Sequence, residues 1–229
     1  MPPHRPLRSV PMVTQQPTQE GLENARSLAD SEAGVDASLL RRHANGQPTA
    51  FGQLYDRHDR RCLDFIRRLL GSAGSADDAS AEDLHQDVWI AVARQGASFD
   101  PNKARFVTWL FTIARHKVVD HLRQRAGPVR LAADLGEPVQ ALLDAHPDAP
   151  EFSPEAVARN RQLAAALLRE VQSLPLAQRE TFVLFAQHGL RLDEVAGVTQ
   201  VGLETAKSRL RYARAALRRG LAAWSDAHA

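Results

Sequence analysis

The stretch Leu192 to Arg219, LDEVAGVTQVGLETAKSRLRYARAALRR, constrains this chain more than any other. It reads as a short helix, a tight break and a longer basic helix, which is a helix-turn-helix. In the second helix Leu203, Ala206, Leu210, Ala213 and Leu217 recur three or four residues apart and form an apolar stripe. Lys207, Arg211, Arg214 and Arg218 form a second, basic stripe. One face docks and the other meets an anion. Ala196 provides a small side chain where two helices cross closely, and Val201 plugs the break. An ordinary amphipathic helix with a solvated charged face would carry the same stripe; the preceding short helix favours the motif.

Charge is distributed in blocks. The net charge is only +2, so any affinity for nucleic acid rests on patches. Lys103 to Arg125 holds six Lys/Arg against one acid, and Leu203 to Ala223 again six against one. Between them, Ala126 to Pro154 sets Arg130 against Asp134, Glu137, Asp144, Asp148 and Glu151. The single Cys62 excludes an intramolecular disulfide and a cysteine-rich zinc site. No apolar run is long enough to span a bilayer or act as an export signal, so a soluble, cytoplasmic protein without membrane insertion is expected.

Residues 1–33 are rich in Pro, Gln, Ser and Glu with little periodicity and read as a disordered tail. From Asp36 apolar residues recur at helical spacing, and Asn45-Gly46-Gln47-Pro48 separates a first helix from a longer second one. Gly71 to Ala76 is a small-residue loop. Ser80-Ala81-Glu82-Asp83 has the form of a capping box. In the helix it would start, Ala81, Leu84, Val88 and Ala91 make the core stripe, leaving Asp83, Gln86, Asp87 and Ile90 on another face with Trp89 beside them. That acidic face with an apolar residue suits a protein partner, or is simply solvated. Phe99-Asp100-Pro101-Asn102-Lys103 breaks the pattern. A further helix, about Ala104 to Arg125, begins buried (Phe106, Trp109, Leu110, Phe111, Ile113). It ends with His116, Lys117, Asp120, His121, Arg123 and Gln124 facing out, which suits a nucleic-acid backbone.

Residues 126–153 hold Pro128, Pro138, Pro147 and Pro150 and read as a flexible acidic linker. Ser153-Pro154-Glu155 starts another helix, Pro175 stops it, and a helix from Leu176 to His188 ends at Gly189. The helix-turn-helix completes a four-helix unit, and residues 224–229 read as a frayed end. The fold expected is all-α, with two small helical domains (34–125 and 154–223) joined by the linker. No His-Glu-x-x-His pattern, phosphate-cradling Gly loop, Gly-x-Ser-x-Gly elbow or acid pair occurs, so no metal, cofactor or catalytic residue is expected.

These segments resemble the extracytoplasmic-function (group IV) sigma factors of bacterial RNA polymerase, in the sigma-70 superfamily. Ala50-Phe51-Gly52-Gln53-Leu54-Tyr55 resembles the opening of their promoter-melting domain. Ala81 to Trp89 is similar to their clamp-docking helix. Phe99-Asp100-Pro101 followed by Phe106-Val107-Thr108-Trp109-Leu110 and Ile113-Ala114-Arg115 is similar to the part that reads the minus-ten element. Leu174-Pro175, Glu194-Val195-Ala196 and Thr205 to Leu210 resemble the minus-thirty-five domain. His116 stands where the family often has Asn, Gln200 replaces the usual turn Gly, Arg191 the usual capping Ser or Thr, and Tyr212 a usual Arg.

The resemblance implies a non-enzymatic initiation subunit with core polymerase (clamp and flap), promoter DNA and an anti-sigma factor as partners. It implies polymerase contacts by Asp83, Leu84, Gln86, Asp87, Trp89 and Ile90. Minus-ten contacts would come from Asn102, Lys103, Arg105, Trp109, Arg115, His116, Lys117 and Arg123. In the second helix of the motif, Lys207, Ser208, Arg211 and Tyr212 are expected at base edges and Arg209, Arg214 and Arg218 at phosphates, with Thr205 also at the minus-thirty-five DNA. Alternatives are a sigma-like decoy that sequesters an anti-sigma factor, a conventional helix-turn-helix regulator, or a DNA recombinase, for which no nucleophile constellation is found.

Overall fold

The computed structural model describes residues 19–71, 75–126 and 154–227, with no strand among them. Four helices form the N-terminal unit: α1 Gln19–Ala44, α2 Pro48–Leu70, α3 Ser75–Gln95 and α4 Phe106–Ala126. Four more form the C-terminal unit: α5 Pro154–Ser173, α6 Leu176–Phe182, α7 Leu192–Thr199 and α8 Leu203–Ala227. The two helical units match the expected fold class. The linker expected over 126–153 lies, apart from Ala126, outside the described residues.

The α2 stripe Ala50, Leu54, His58, Cys62, Phe65, Ile66 and Leu69 is buried, and the spacing of three or four turns it toward α3 and α4. Pro48 occupies the first turn of α2, where its missing N–H goes unneeded, and Gly71 ends the helix at φ 73°. Burial pushes the Cys62 thiol up, so it is a structural core group.

Four features differ from the sequence reading. The expected tail is shorter, because Gln19 to Ala33 lie in α1; Glu20, Leu22, Glu23, Ala25, Arg26, Leu28 and Ala29 are strong helix formers despite their weak periodicity. Helix α3 starts at Ser75, so Ser80 to Asp83 lie inside it. Glu82 pairs with Arg67 of α2 at 3.4 Å instead of capping. Helix α6 passes at Val183–Gln187 into a wider π-type turn before Gly189 at φ 67°. Finally, α8 continues to Ala227, through most of the expected frayed end.

Helix α1 is fixed to α2 by a buried carboxylate that the sequence pattern does not single out. Asp36, 1% exposed, accepts from Arg57 Nε at 2.8 Å and lies 2.8 Å from His58 Nε2. A buried carboxylate held by two partners specifies one docking geometry.

Apolar burial runs without a break from the N-terminal unit into the C-terminal one. Phe65 and Phe111 belong to the same core cluster as Val171, Leu184, Leu190 and Val195. The two units therefore meet along a seam in which α4 packs on α7 and α2 on α6.

Candidate nucleic-acid interface

Helices α7 and α8 form the expected helix-turn-helix. Val195, Ala196, Val198 and Thr199 of α7 are buried, as are Ala206, Leu210, Ala213 and Leu217 of α8, and the two helices pack together. Leu203 departs from the expected stripe: at the first position of α8 it is 42% exposed. The turn is closed by Val201 N–H donating to Ala196 O at 3.0 Å, and Gln200 takes the left-handed conformation at φ 56°. A Cβ is disfavoured there by about 1 kcal/mol. Gln200→Gly should therefore raise the unfolding free energy by about 0.5–1 kcal/mol, read from the denaturant midpoint.

Lys207 and Arg211 are exposed one turn apart, and Ser208 and Tyr212 are half-buried beside them. The Arg211 guanidinium lies 5.1 Å from the centre of the Tyr212 ring and donates to its hydroxyl at 3.2 Å. Lys207 pairs with Glu204 at 2.8 Å, and Arg214 lies over Phe185. Thr205 is exposed and Arg218 half-buried. Arg209 departs from its expected phosphate role: its side chain is only 18% exposed and lies 3.4 Å from Glu180.

The second basic block is divided. Asn102, Lys103, His116 and Arg123 are exposed, and Trp109 is half-buried against Phe99 and Phe106. Asn102 donates its backbone N–H to Asp100 at 3.0 Å, which with its side-chain amide and Lys103 lowers the Asp100 carboxyl. Arg105 and Arg115 instead turn into the seam, onto Glu194 and Glu180. Lys117 pairs with Asp87 across α3 and α4 at 3.3 Å, and Arg123 with Asp120 at 3.5 Å. Val119 is buried as well as the expected Ala114 and Val118.

On α3 the acidic face is only partly as expected. Asp83, Gln86, Asp87 and Ile90 are exposed, Ile90 by 48%. Leu84 and Trp89 are not on it; they are 8% and 5% exposed and belong to the core. Trp89 packs on Tyr55 and Phe51, and its Nε1 donates to His85 Nε2 at 2.9 Å. Burial lowers the His85 imidazole against the opposing pull of Asp59, whose Oδ1 lies 3.0 Å from the same Nε2. Asp59 accepts from the Tyr55 hydroxyl, which with burial pushes that phenol up to about 12. Thus a polar cluster, not a binding face, holds Trp89. Its partners, Asp59 and His85, gave no signal in the sequence beyond helical spacing. No group of three metal-ligating side chains is found among the described residues.

This geometry defines an all-helical protein that carries a DNA-binding helix-turn-helix in one unit and a basic, aromatic-rich helix in the other. Residues 54–127 match sigma-70 region 2, and residues 164–217 match sigma-70 region 4. The chain is 30% identical over 191 residues to the ECF RNA polymerase sigma factor SigK of Mycolicibacterium vanbaalenii, covering 82% of this chain and 90% of that protein. It is 33% identical over 173 residues to the ECF RNA polymerase sigma factor BldN of Streptomyces coelicolor, covering 76% of this chain and 61% of that protein. Among solved structures, CnrH in complex with the cytosolic domain of CnrY matches with a TM-score of 0.53 and 27% identity, over 85% of this chain and 99% of that one. The sigma factor RpoE from Bartonella quintana, in complex with the anti-sigma factor NepR, shares the fold, with a TM-score of 0.53 at 23% identity over 75% of this chain and 96% of that one. The chain belongs to the extracytoplasmic-function sigma factors of the sigma-70 family. It is an alternative sigma factor, which binds core RNA polymerase and directs promoter recognition and transcription initiation.

Proposed function

We propose that the two units divide this work. Residues 34–125 bind core polymerase through the exposed Asp83, Gln86, Asp87 and Ile90 face and capture minus-ten DNA through α4; residues 154–223 read the minus-thirty-five element through Lys207, Ser208, Arg211 and Tyr212. The observation that carries the reading is the pair of exposed faces on opposite units: an acidic one with an apolar centre, suited to protein, and a basic one on a recognition helix, suited to DNA. The chain contributes binding rather than catalysis, and acts in the cytoplasm where the polymerase is. An anti-sigma protein is the expected controlling partner, as the sigma factor RpoE of Bartonella quintana is seen in complex with the anti-sigma factor NepR.

Asp87→Lys reverses charge at an exposed site without touching the core. It should weaken core-polymerase binding by about tenfold or more while leaving the far-ultraviolet circular dichroism in place and lowering stability by no more than about 1 kcal/mol, through loss of the partly exposed pair with Lys117. Parent-like affinity in a pull-down, together with full promoter-specific transcription by the variant holoenzyme, would remove α3 from the polymerase interface. A parent chain that gave no promoter-specific transcription with core polymerase, yet bound an anti-sigma protein, would favour the decoy.

A further inference from the structure

A carboxylate stands on the face of α8 that carries the expected base-reading side chains. Glu204 is the second residue of α8, and Lys207, Ser208, Arg211 and Tyr212 follow it at i+3, i+4, i+7 and i+8. At about 3.6 residues per turn these positions share one side of the helix. Glu204 is the one acid against six Lys/Arg between Leu203 and Ala223. Its side chain is 85% exposed, so it has no packing role, and it accepts from Lys207 Nζ at 2.8 Å. An exposed pair of this kind adds little to stability. The first turn of α8 is also open to an incoming groove. Leu203 is 42% exposed, Thr205 is exposed, and nothing lies within 4 Å of the place a Cβ on Gly202 would occupy.

An ionised carboxylate has acceptors only. Among the phosphates of a duplex it opposes binding unless a base donates to it. The major-groove donors are N4 of cytosine and N6 of adenine, whereas guanine and thymine present acceptors there. Cytosine is the better match, because its partner guanine offers O6 and N7 to the Lys207 ammonium; the partner of adenine offers only O4, beside a methyl group. The spacing agrees as well. Cytosine N4 and guanine O6 are hydrogen-bonded to each other, about 2.9 Å apart, and Glu204 Oε1 and Lys207 Nζ lie 2.8 Å apart.

We propose that Glu204 is a specificity-determining residue that selects a cytosine in the minus-thirty-five element, with Lys207 on the guanine of the same base pair. The inference rests on the reading of α8 as the minus-thirty-five recognition helix. An acid that only stabilised the first turn of α8 through the helix dipole would leave base preference unmoved.

The test uses the full chain with core polymerase and a promoter library randomised over the minus-thirty-five element, reading binding and transcript yield for each base. The parent should prefer a G·C pair in one orientation at one position. E204A should flatten that preference, a loss of roughly 5- to 150-fold in discrimination. E204Q should move it toward adenine, whose N6 and N7 a carboxamide meets with two bonds, and K207A should weaken preference at the same base pair. On unrelated duplex, E204A should bind more tightly and steepen the salt slope by about one unit, because Lys207 is released to displace a counterion. Circular dichroism should report folded protein for both Glu204 variants, since the side chain is exposed. Parent-like base preference in E204A and E204Q would overturn the proposal, as would an effect of E204A confined to positions where the parent prefers an A·T pair. If Arg211→Ala in the same assay also left every preference unchanged, the reading of α8 would fail and the inference with it. A changed profile for Arg211→Ala beside an unchanged one for both Glu204 variants would sink the inference alone.

Discussion

Trp89→Ala should destabilise the protein by about 3 to 5 kcal/mol, the range for deleting a large buried aromatic side chain. Trp89 is 5% exposed, packs on Tyr55 and Phe51, and donates to His85. Alanine leaves a cavity lined by these rings and removes the donor that His85 Nε2 accepts from. Urea unfolding should show the lower midpoint, and Trp89→Phe should recover much of the packing but not the hydrogen bond. The loss of polymerase binding expected for Trp89→Ala then follows the loss of native protein. Asp87→Lys differs by reducing binding with at most a small loss of stability, that of the partly exposed pair with Lys117. A Trp89→Ala variant with a parent-like midpoint would show that the ring is not in the core.

Arg211→Ala should lower transcription from the cognate promoter and relax base preference at one or two minus-thirty-five positions. An Arg bonded to guanine contributes about 1 to 3 kcal/mol of discrimination, roughly 5- to 150-fold. Arg211 is exposed on α8, and Tyr212 beneath it orders the guanidinium before DNA arrives. Arg218→Ala, on the same helix but half-buried, should weaken binding to all sequences alike and flatten the salt slope by about one unit. Binding measured over a set of single-base promoter variants separates the two. Unchanged promoter strength and preference in folded Arg211→Ala protein would show that α8 does not read DNA through this residue.

The sequence by itself determined the motif and the buried faces of the strongly periodic helices, but not where α1 and α3 begin or α8 ends. Leu210, Ala213 and Leu217 repeat at the period of an α-helix, and that period alone fixes which face of α8 is buried. Gly71 and Gly189 end helices in the left-handed conformation that their missing Cβ permits. The exposure of Asp83, Gln86 and Asp87 on α3 follows from the same arithmetic. The partners of the buried polar groups were decided only by tertiary structure. Helical spacing put Trp89 next to an acidic face, but whether a neighbouring position lies inside or outside depends on the helix packed against it, here α2 with Tyr55 and Phe51. Likewise the resemblance places Arg105, Arg115 and Arg209 at promoter DNA, and nothing near them in the sequence signals their ion pairs, because Glu194 and Glu180 lie 89, 65 and 29 positions away in the chain. Ion pairs at such separation leave no local periodicity; those of Arg105 and Arg115 exist only once the two units close on each other, and that of Arg209 only once α6 and α8 pack.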